Sequence, residues 1–127
     1  MITEFMESGS LFDLIHKNKD REKILTDERI FSICEDVALG MNYLHSRKVL
    51  HCDLKSSNVL VSFLILKVDD NWNMKLCDFG LSRVKNKIHK KKNQGRIGTP
   101  HWMAPEILRQ ETYEEPSDVY SYGMILW

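Results

Sequence analysis

Three short motifs follow one another along this 127-residue chain, and their order constrains its fold more than any other feature. Residues 51–58 read His-Cys-Asp-Leu-Lys-Ser-Ser-Asn, residues 78–80 read Asp-Phe-Gly, and residues 104–106 read Ala-Pro-Glu. The Asp-Phe-Gly tripeptide is weak alone, because it could end any strand in a tight turn. The succession of all three is poorly explained by chance and indicates one specialised site.

The first motif combines a carboxylate, a cation and an amide within one short segment. Asp53 and Asn58 are close enough in sequence for a curled backbone to point both groups into one pocket, with Lys55 between them. A lysine in that place can neutralise negative charge on a phosphoryl group in transit. The simpler interpretation is an aspartate and an asparagine in a surface turn.

Together the motifs resemble the catalytic loop, the magnesium-binding tripeptide and the end of the activation segment of eukaryotic protein kinases. The pattern is most similar to the tyrosine-kinase-like (Raf/MLK-like) group of serine/threonine kinases. The resemblance implies an α+β, protein-kinase-like fold, with a mainly helical C-terminal lobe, short strands and no N-lobe. It divides a partial kinase domain, residues 1–127, into a hinge (1–10), a catalytic loop (51–58), an activation segment (78–106) and a truncated helix (116–127).

The resemblance also implies roles for the polar residues of the motifs. Asp53 would accept the proton of the substrate hydroxyl, and Lys55 would stabilise the transferred phosphoryl group. Asn58 and Asp78 would bind Mg²⁺, which bridges the phosphates of ATP. The implied cofactors are therefore ATP and Mg²⁺, and the implied reaction transfers the γ-phosphate to Ser/Thr hydroxyls of a protein substrate in intracellular signalling.

Adenine recognition is expected at the start of the chain. Thr3 resembles the gatekeeper that flanks the adenine pocket, and the backbones of Glu4 and Met6 would bond the adenine edge. Leu60 matches the apolar platform beneath adenine, although a leucine in a core strand would look the same.

Other residues fit the resemblance in supporting roles. His51 and Phe79 would stack on each other, and Asp118 would brace the catalytic loop from below. Lys55, taken with Gly98 and Thr99, resembles serine/threonine rather than tyrosine specificity.

Some features depart from the family pattern. Cys52 occupies the position of an arginine that usually pairs with a phosphate on the activation loop, and no Ser, Thr or Tyr lies between Arg83 and Gly98. We therefore expect an activity that is not switched by phosphorylation in the middle of that loop. Residues 62–68 form an apolar addition, which is either a docking extension or a gene-prediction error.

The sequence contains no glycine-rich phosphate loop, no strand lysine and no glutamate partner for that lysine. By the same comparison it lacks later helices and the usual partner of Glu106. The expectation from the resemblance is that these 127 residues by themselves are poorly stable and catalytically silent.

Local patterns predict the elements between the motifs. We expect a strand end at residues 2–6, a helix at 11–17, a polar loop at 18–23, and a long helix with Thr26 as its N-cap. Short strands are predicted at 49–50, 59–61 and 74–77, an exposed basic loop at 83–96, and a short helix from Pro105. One apolar stripe of the long helix should face the core: Ile30, Ile33, Cys34, Val37, Met41 and Leu44.

Composition limits which partners and which cellular compartment the sequence suggests. Lys plus Arg equals Asp plus Glu at 18 each, so the overall charge does not favour nucleic acid or an anionic membrane as a partner. The 3 cysteines are an odd number without metal-ligand spacing, which argues against a disulfide framework and favours a reducing compartment. We therefore interpret the chain as a cytoplasmic protein. The longest apolar run is far shorter than the roughly 20 residues of a membrane helix.

Two other functions compete with an active kinase. A non-catalytic pseudokinase or scaffold would bind a protein partner through the lobe or through the apolar addition. Alternatively, the cations of residues 83–96 would attract acidic substrates, phospholipid headgroups or RNA, although such a run is usually only a solvated loop.

Overall fold

The computed structural model describes residues 6, 8–63, 72–84 and 98–127. Its helices are α1 (Leu11–Lys17), α2 (Arg21–Ile24), α3 (Asp27–Ser46), α4 (Pro105–Leu108) and α5 (Glu115–Leu126). Its strands are β1 (Val49–Leu50), β2 (Val59–Phe63), β3 (Trp72–Leu76) and β4 (Arg83–Val84). Among these described residues, 3₁₀ turns lie at Ser56–Asn58, Phe79–Leu81 and Pro100–Trp102. The expected α+β fold, mainly helical with short strands, is confirmed. The predicted strand end at residues 2–6 lies outside the described residues except for Met6, which is not in a strand.

Internal contacts divide the chain into two compact units. The first unit comprises Met1–Val37 and Ser56–Cys77, and the second comprises Ala38–Lys55 and Asp78–Trp127. Helix α3 therefore contributes residues to both.

Helix α1 in the first unit begins with a complete capping box. The Ser10 hydroxyl accepts a hydrogen bond from the Asp13 N–H, and the Asp13 carboxylate accepts one from the Ser10 N–H. The bond from Lys17 and those from Ser10 lower the pKa of Asp13 to about 2. The predicted boundaries of this helix are confirmed, because a cap and an apolar pair, Leu11 and Leu14, both specify them locally.

The predicted polar loop at 18–23 is partly wrong, because it contains α2. The Asn18 side chain accepts from the Asp20 N–H, and the Asp20 carbonyl accepts from the N–H groups of Lys23 and Ile24. These local bonds close one helical turn in a segment without apolar periodicity.

The first part of α3 follows the prediction at its cap and along most of its stripe. The Thr26 hydroxyl accepts from the Arg29 N–H at 3.4 Å, as an N-cap should. On the apolar stripe Ile33, Val37 and Met41 are buried, and Cys34 and Leu44 are half-buried. Ile30 is an exception at 43% exposed. It shares the face of the stripe but belongs to the first helical turn, where the described residues leave it uncovered.

Strands β2 and β3 form an antiparallel hairpin that is longer than predicted. The pairs run from Val59↔Leu76 to Phe63↔Trp72 and include Ser62↔Asn73, so the pairing extends two residues beyond the predicted strand 59–61. Residues 64–71 lie outside the described residues. Two further bonds tie the hairpin to its unit: the Val61 N–H donates to the Gly9 carbonyl, and the Met74 N–H donates to the Asp36 carboxylate.

The second unit contains a short sheet and an apolar core. Strands β1 and β4 pair as Val49↔Val84 and Leu50↔Arg83. Arg83 and Val84, predicted as the start of an exposed loop, are therefore in a strand, and residues 85–97 lie outside the described part of the chain. Helix α4 begins at Pro105 as predicted, and α5 begins one residue before the predicted helix. The core cluster comprises Leu50, Cys52, Met103, Ala104, Ile107 and Tyr113.

Within the described residues, no helix combines the length and the apolar character needed to cross a membrane.

Candidate active site

The turn at His51 and Cys52 is held by the carboxylate of Asp118 from α5. The His51 N–H donates to Asp118 Oδ2 at 2.9 Å, and the Cys52 N–H donates to Asp118 Oδ1 at 3.1 Å. Cys52 has a left-handed φ of 66°, a conformation that non-glycine residues seldom adopt. The two bonds offset the cost of this conformation, and the predicted bracing by Asp118 agrees with this geometry.

Asp118 is fully buried and has two further side-chain partners. The Tyr113 hydroxyl donates to its Oδ1 at 2.7 Å, and His45 Nε2 lies 2.9 Å from its Oδ2. Burial, reinforced by the charge of Asp118, raises the pKa of the Tyr113 phenol far above its ordinary value. A buried carboxylate with this many partners can fix the backbone around it, because every lost partner would leave a desolvated charge.

Cys52 is a core residue and not a surface residue. Its side chain is 1% exposed and packs with Met103, Ala104, Ile107 and Tyr113. Burial, with a contribution from Asp118, raises the pKa of the Cys52 thiol to about 12. The thiol is therefore protonated and unreactive near neutral pH.

Asp53 follows this turn and contacts the side chains of Lys55 and Thr99. Lys55 Nζ lies 2.9 Å from Asp53 Oδ2, and the Thr99 hydroxyl donates to Asp53 Oδ1 at 2.7 Å. Lys55 Nζ also donates to Thr99 Oγ1 at 2.8 Å, which closes a three-membered network. The Asp53 side chain is 9% exposed and that of Lys55 is 22% exposed. This network fixes the orientation of the Asp53 carboxylate in a largely buried place, and a general base must be positioned in this way.

The sequence did not identify Thr99 as a partner of Asp53. Thr99 precedes the 3₁₀ turn at Pro100–Trp102, and its side chain does not cap that turn. Its hydroxyl instead donates a hydrogen bond to Asp53 and accepts one from Lys55. Its position beside Gly98 was interpreted only as a specificity marker, and nothing local in the sequence signals the long-range contact.

Asp78 and Phe79 lie beside the same turn. The Phe79 and His51 rings contact each other with centroids 5.4 Å apart, in agreement with the predicted stacking. Asp78 is exposed and left-handed, with φ 60°, and its Oδ1 accepts from the Gly80 N–H at 3.3 Å. The Ser82 hydroxyl donates to the His51 carbonyl at 3.2 Å. This hydrogen bond and the ring contact both join residues 79–82 to the turn at His51.

The remaining predicted site residues belong to the first unit. Asn58 is buried in its 3₁₀ turn, and its carbonyl accepts from the Cys77 N–H at 2.9 Å. Leu60 and Met6 are half-buried. Thr3 and Glu4 lie outside the described residues.

Asn58 of the first unit and Asp78 of the second unit each carry an oxygen atom of the kind that can bind Mg²⁺. Mg²⁺ prefers oxygen ligands and is usually held by one or two protein groups together with phosphates and water. An amide oxygen and a carboxylate oxygen fit that preference.

Glu106 binds a residue of α5, which is not the usual partner that the sequence was expected to lack. The Ser117 hydroxyl of α5 donates to Glu106 Oε1 at 2.7 Å. The bond joins α4 to α5, and a second one, from the Ser121 hydroxyl to the Trp102 carbonyl at 2.7 Å, joins α5 to the neighbouring turn.

Comparison of the sequence with known proteins identifies the family of this chain. The profile of the protein kinase domain matches residues 1–127. The chain is 48% identical over 129 residues to the serine/threonine-protein kinase CTR1 of Arabidopsis thaliana, and 46% identical over 129 residues to the probable serine/threonine-protein kinase SIS8 of the same plant. It is 39% identical over 127 residues to the dual specificity protein kinase shkB of Dictyostelium discoideum.

Each of these alignments covers 100% of this chain, but the chain spans only 15%, 12% and 18% of those relatives. The expected fold class and the expected type of relative are both confirmed. Because a profile match over the whole chain and identities well above 30% agree, the chain belongs to the protein kinase domain family, with similarity to tyrosine-kinase-like serine/threonine kinases.

Proposed function

We propose that this chain carries the catalytic loop of an ATP-dependent protein kinase that phosphorylates Ser/Thr hydroxyls of proteins in intracellular signalling. The observation that carries the proposal is the Asp53 carboxylate, fixed by Lys55 and Thr99 through contacts of 2.7–2.9 Å. Phosphoryl transfer needs little covalent help from a protein, so an oriented base and well-placed cations are the main requirements.

In this proposal Asp53 accepts the proton of the substrate hydroxyl. Lys55, already paired with Asp53, stabilises negative charge on the phosphoryl group as it moves. Asn58 and Asp78 would hold Mg²⁺, which when bound neutralises the phosphate charge. The adenine would be recognised at Thr3, Glu4, Met6 and Leu60; the half-buried side chain of Leu60 leaves an apolar surface for such a contact.

The setting proposed is the cytoplasm. All three cysteines, Cys34, Cys52 and Cys77, are free thiols, which suits a reducing compartment. The proposed partners are ATP and a protein substrate, with no role for nucleic acid.

The first prediction tests the base. In the full-length protein, Asp53→Asn keeps the size of the side chain but removes the proton acceptor, so transfer from γ-labelled ATP to a Ser/Thr peptide mixture should fall by about 10²- to 10⁴-fold. The matched control is Asp20→Asn, which changes an exposed carboxylate whose side chain is 65% accessible. ATP affinity and the unfolding midpoint should be similar in both variants.

Two outcomes contradict the proposal. Undiminished transfer by Asp53→Asn would remove Asp53 from the reaction. ATP binding without any transfer by the unmodified protein would favour the non-catalytic scaffold.

A further inference from the structure

Gly98 is subject to two independent constraints that exclude a side chain. Its φ is 107°, in the region that L-residues with a side chain rarely adopt. A Cβ placed on Gly98 would also lie 2.9 Å from the carbonyl oxygen of Cys52, nearer than real Cβ contacts occur. The backbone at 98 therefore approaches the catalytic loop as closely as it does only because the residue is glycine.

The Cys52 carbonyl is poorly able to yield to such a side chain. The Cys52 N–H and the preceding His51 N–H are both bound by the buried Asp118 carboxylate. The Cys52 side chain is embedded in the core cluster beside Met103 and Ala104. An added Cβ would consequently displace the segment at residues 98–99 and not the loop.

Thr99 would move with that segment. Its hydroxyl makes contacts of 2.7 Å to Asp53 and 2.8 Å to Lys55, and such bonds weaken steeply as they lengthen or bend. We propose that Gly98 is a positioning residue for phosphoryl transfer: by lacking a side chain, it lets Thr99 reach Asp53 and Lys55. This inference rests on the proposed kinase function, because it holds that Gly98 helps to orient the catalytic base Asp53.

The test is Gly98→Ala in the full-length protein. Loss of the Thr99 bonds should leave Asp53 misplaced by up to about an ångström. Misplacing a catalytic group on this scale lowers kcat by about 10- to 100-fold. The KM for ATP should change by less than about twofold, because Gly98 contacts the catalytic loop and not the residues proposed to bind adenine.

A matched control is available in Gly123→Ala. Gly123 lies in α5, and a Cβ there would meet nothing within 4 Å. Both kcat and KM of this variant should equal those of the unmodified protein, since alanine is well tolerated inside a helix.

A double-mutant cycle separates positioning from a general structural role. If Gly98 acts through Thr99, Gly98→Ala should cost less than about threefold in kcat when Thr99 is already valine. An equal fall in the presence and absence of the Thr99 hydroxyl would overturn the proposal.

A second variant applies if Gly98→Ala does not fold. Asparagine tolerates positive φ better than alanine but carries the same Cβ, so Gly98→Asn should fold and lose kcat to the same extent. Full activity of folded Gly98→Asn would also overturn the proposal.

Hydrogen exchange distinguishes failure of this inference from failure of the kinase function. The amides of residues 98, 99 and 101–104 should exchange faster in Gly98→Ala than in Gly123→Ala whether or not the protein transfers phosphate. Faster exchange in a protein without any Asp53-dependent transfer would reject the kinase function. It would still support the claim that Gly98 allows residues 98–99 to pack closely against Cys52. Unchanged exchange together with unchanged kcat would reject the role of Gly98.

Discussion

The hydroxyl of Thr99 is an uncharged group in the network that orients Asp53. It donates to Asp53 and accepts from Lys55, so it holds an anion and a cation at once. Thr99→Val keeps the shape but removes both bonds, and we expect kcat to fall by about tenfold or more while the KM for ATP stays within about twofold.

Thr99→Ser is the control, because it retains the hydroxyl and loses only a methyl group. Steady-state kinetics should place it within about threefold of the unmodified protein. Equal activity of the valine and serine variants would show that the hydroxyl does not contribute to transfer.

Sequence reasoning at the residue scale identified the charged groups but not their uncharged partners. Asp53 and Lys55 were found because a short spacing encodes their proximity. Thr99 lies 46 residues from Asp53 along the chain, and no local pattern encodes that contact. Cys52 was interpreted from what it replaces. Its burial comes from packing against Met103 and Ala104, which lie far along the chain and which no local pattern reveals.

Helix α5 holds the turn at His51 and Cys52 through the buried carboxylate of Asp118. Asp118→Asn keeps the volume but places an NH₂ among groups that include two backbone N–H donors and the Tyr113 hydroxyl. At least one donor would lose its acceptor, so we expect the free energy of unfolding to drop by about 3 kcal/mol. Urea unfolding followed by circular dichroism measures this change.

Glu114→Gln is the matched control for Asp118→Asn. Glu114 is exposed at the start of the same helix, and its side chain makes no capping hydrogen bond. Its substitution should leave the unfolding midpoint nearly unchanged. Equal midpoints for the two variants would contradict the supporting role of Asp118.

Elements were predictable where the signals are local. Helix α1 has a capping box and α3 has the Thr26 cap, and both were placed from the sequence. Helix α2 was missed because polar side-chain and backbone bonds, not apolar periodicity, close its single turn. The length of the β2–β3 hairpin was missed because pairing depends on a partner strand that the pattern of one strand does not reveal.

At the scale of the whole molecule, the order of three motifs was sufficient to predict the family, which the profile match confirmed. The arrangement of the second unit could not be derived in the same way. Its core joins Leu50 and Cys52 to Met103, Ala104, Ile107 and Tyr113, which come from distant parts of the chain. Motif spacing indicates which groups are candidates for the site, whereas long-range packing determines how they are oriented.

That packing makes global stability sensitive to alkaline pH. Burial raises the pKa of the Cys52 thiol from its ordinary value of 9.0 to about 12, and it also raises the pKa of the neighbouring Tyr113 phenol. Between pH 9 and 12 the unfolded chain has released the Cys52 proton while the folded chain retains it. The free energy of unfolding should therefore fall as pH rises in this window, by up to about 1.4 kcal/mol per pH unit for this one proton.

Urea unfolding at pH 8, 9 and 10 measures the slope, and Cys52→Ala should flatten it between the two higher values because it removes the buried thiol. Cys34→Ala is the matched control: the pKa of Cys34 is also raised by burial, but its side chain is only half-buried, so its removal should change the slope less. The comparison uses slopes, so the cavity left by either alanine at neutral pH does not affect it. An unaltered slope in Cys52→Ala would mean that the Cys52 thiol does not link folding to alkaline pH.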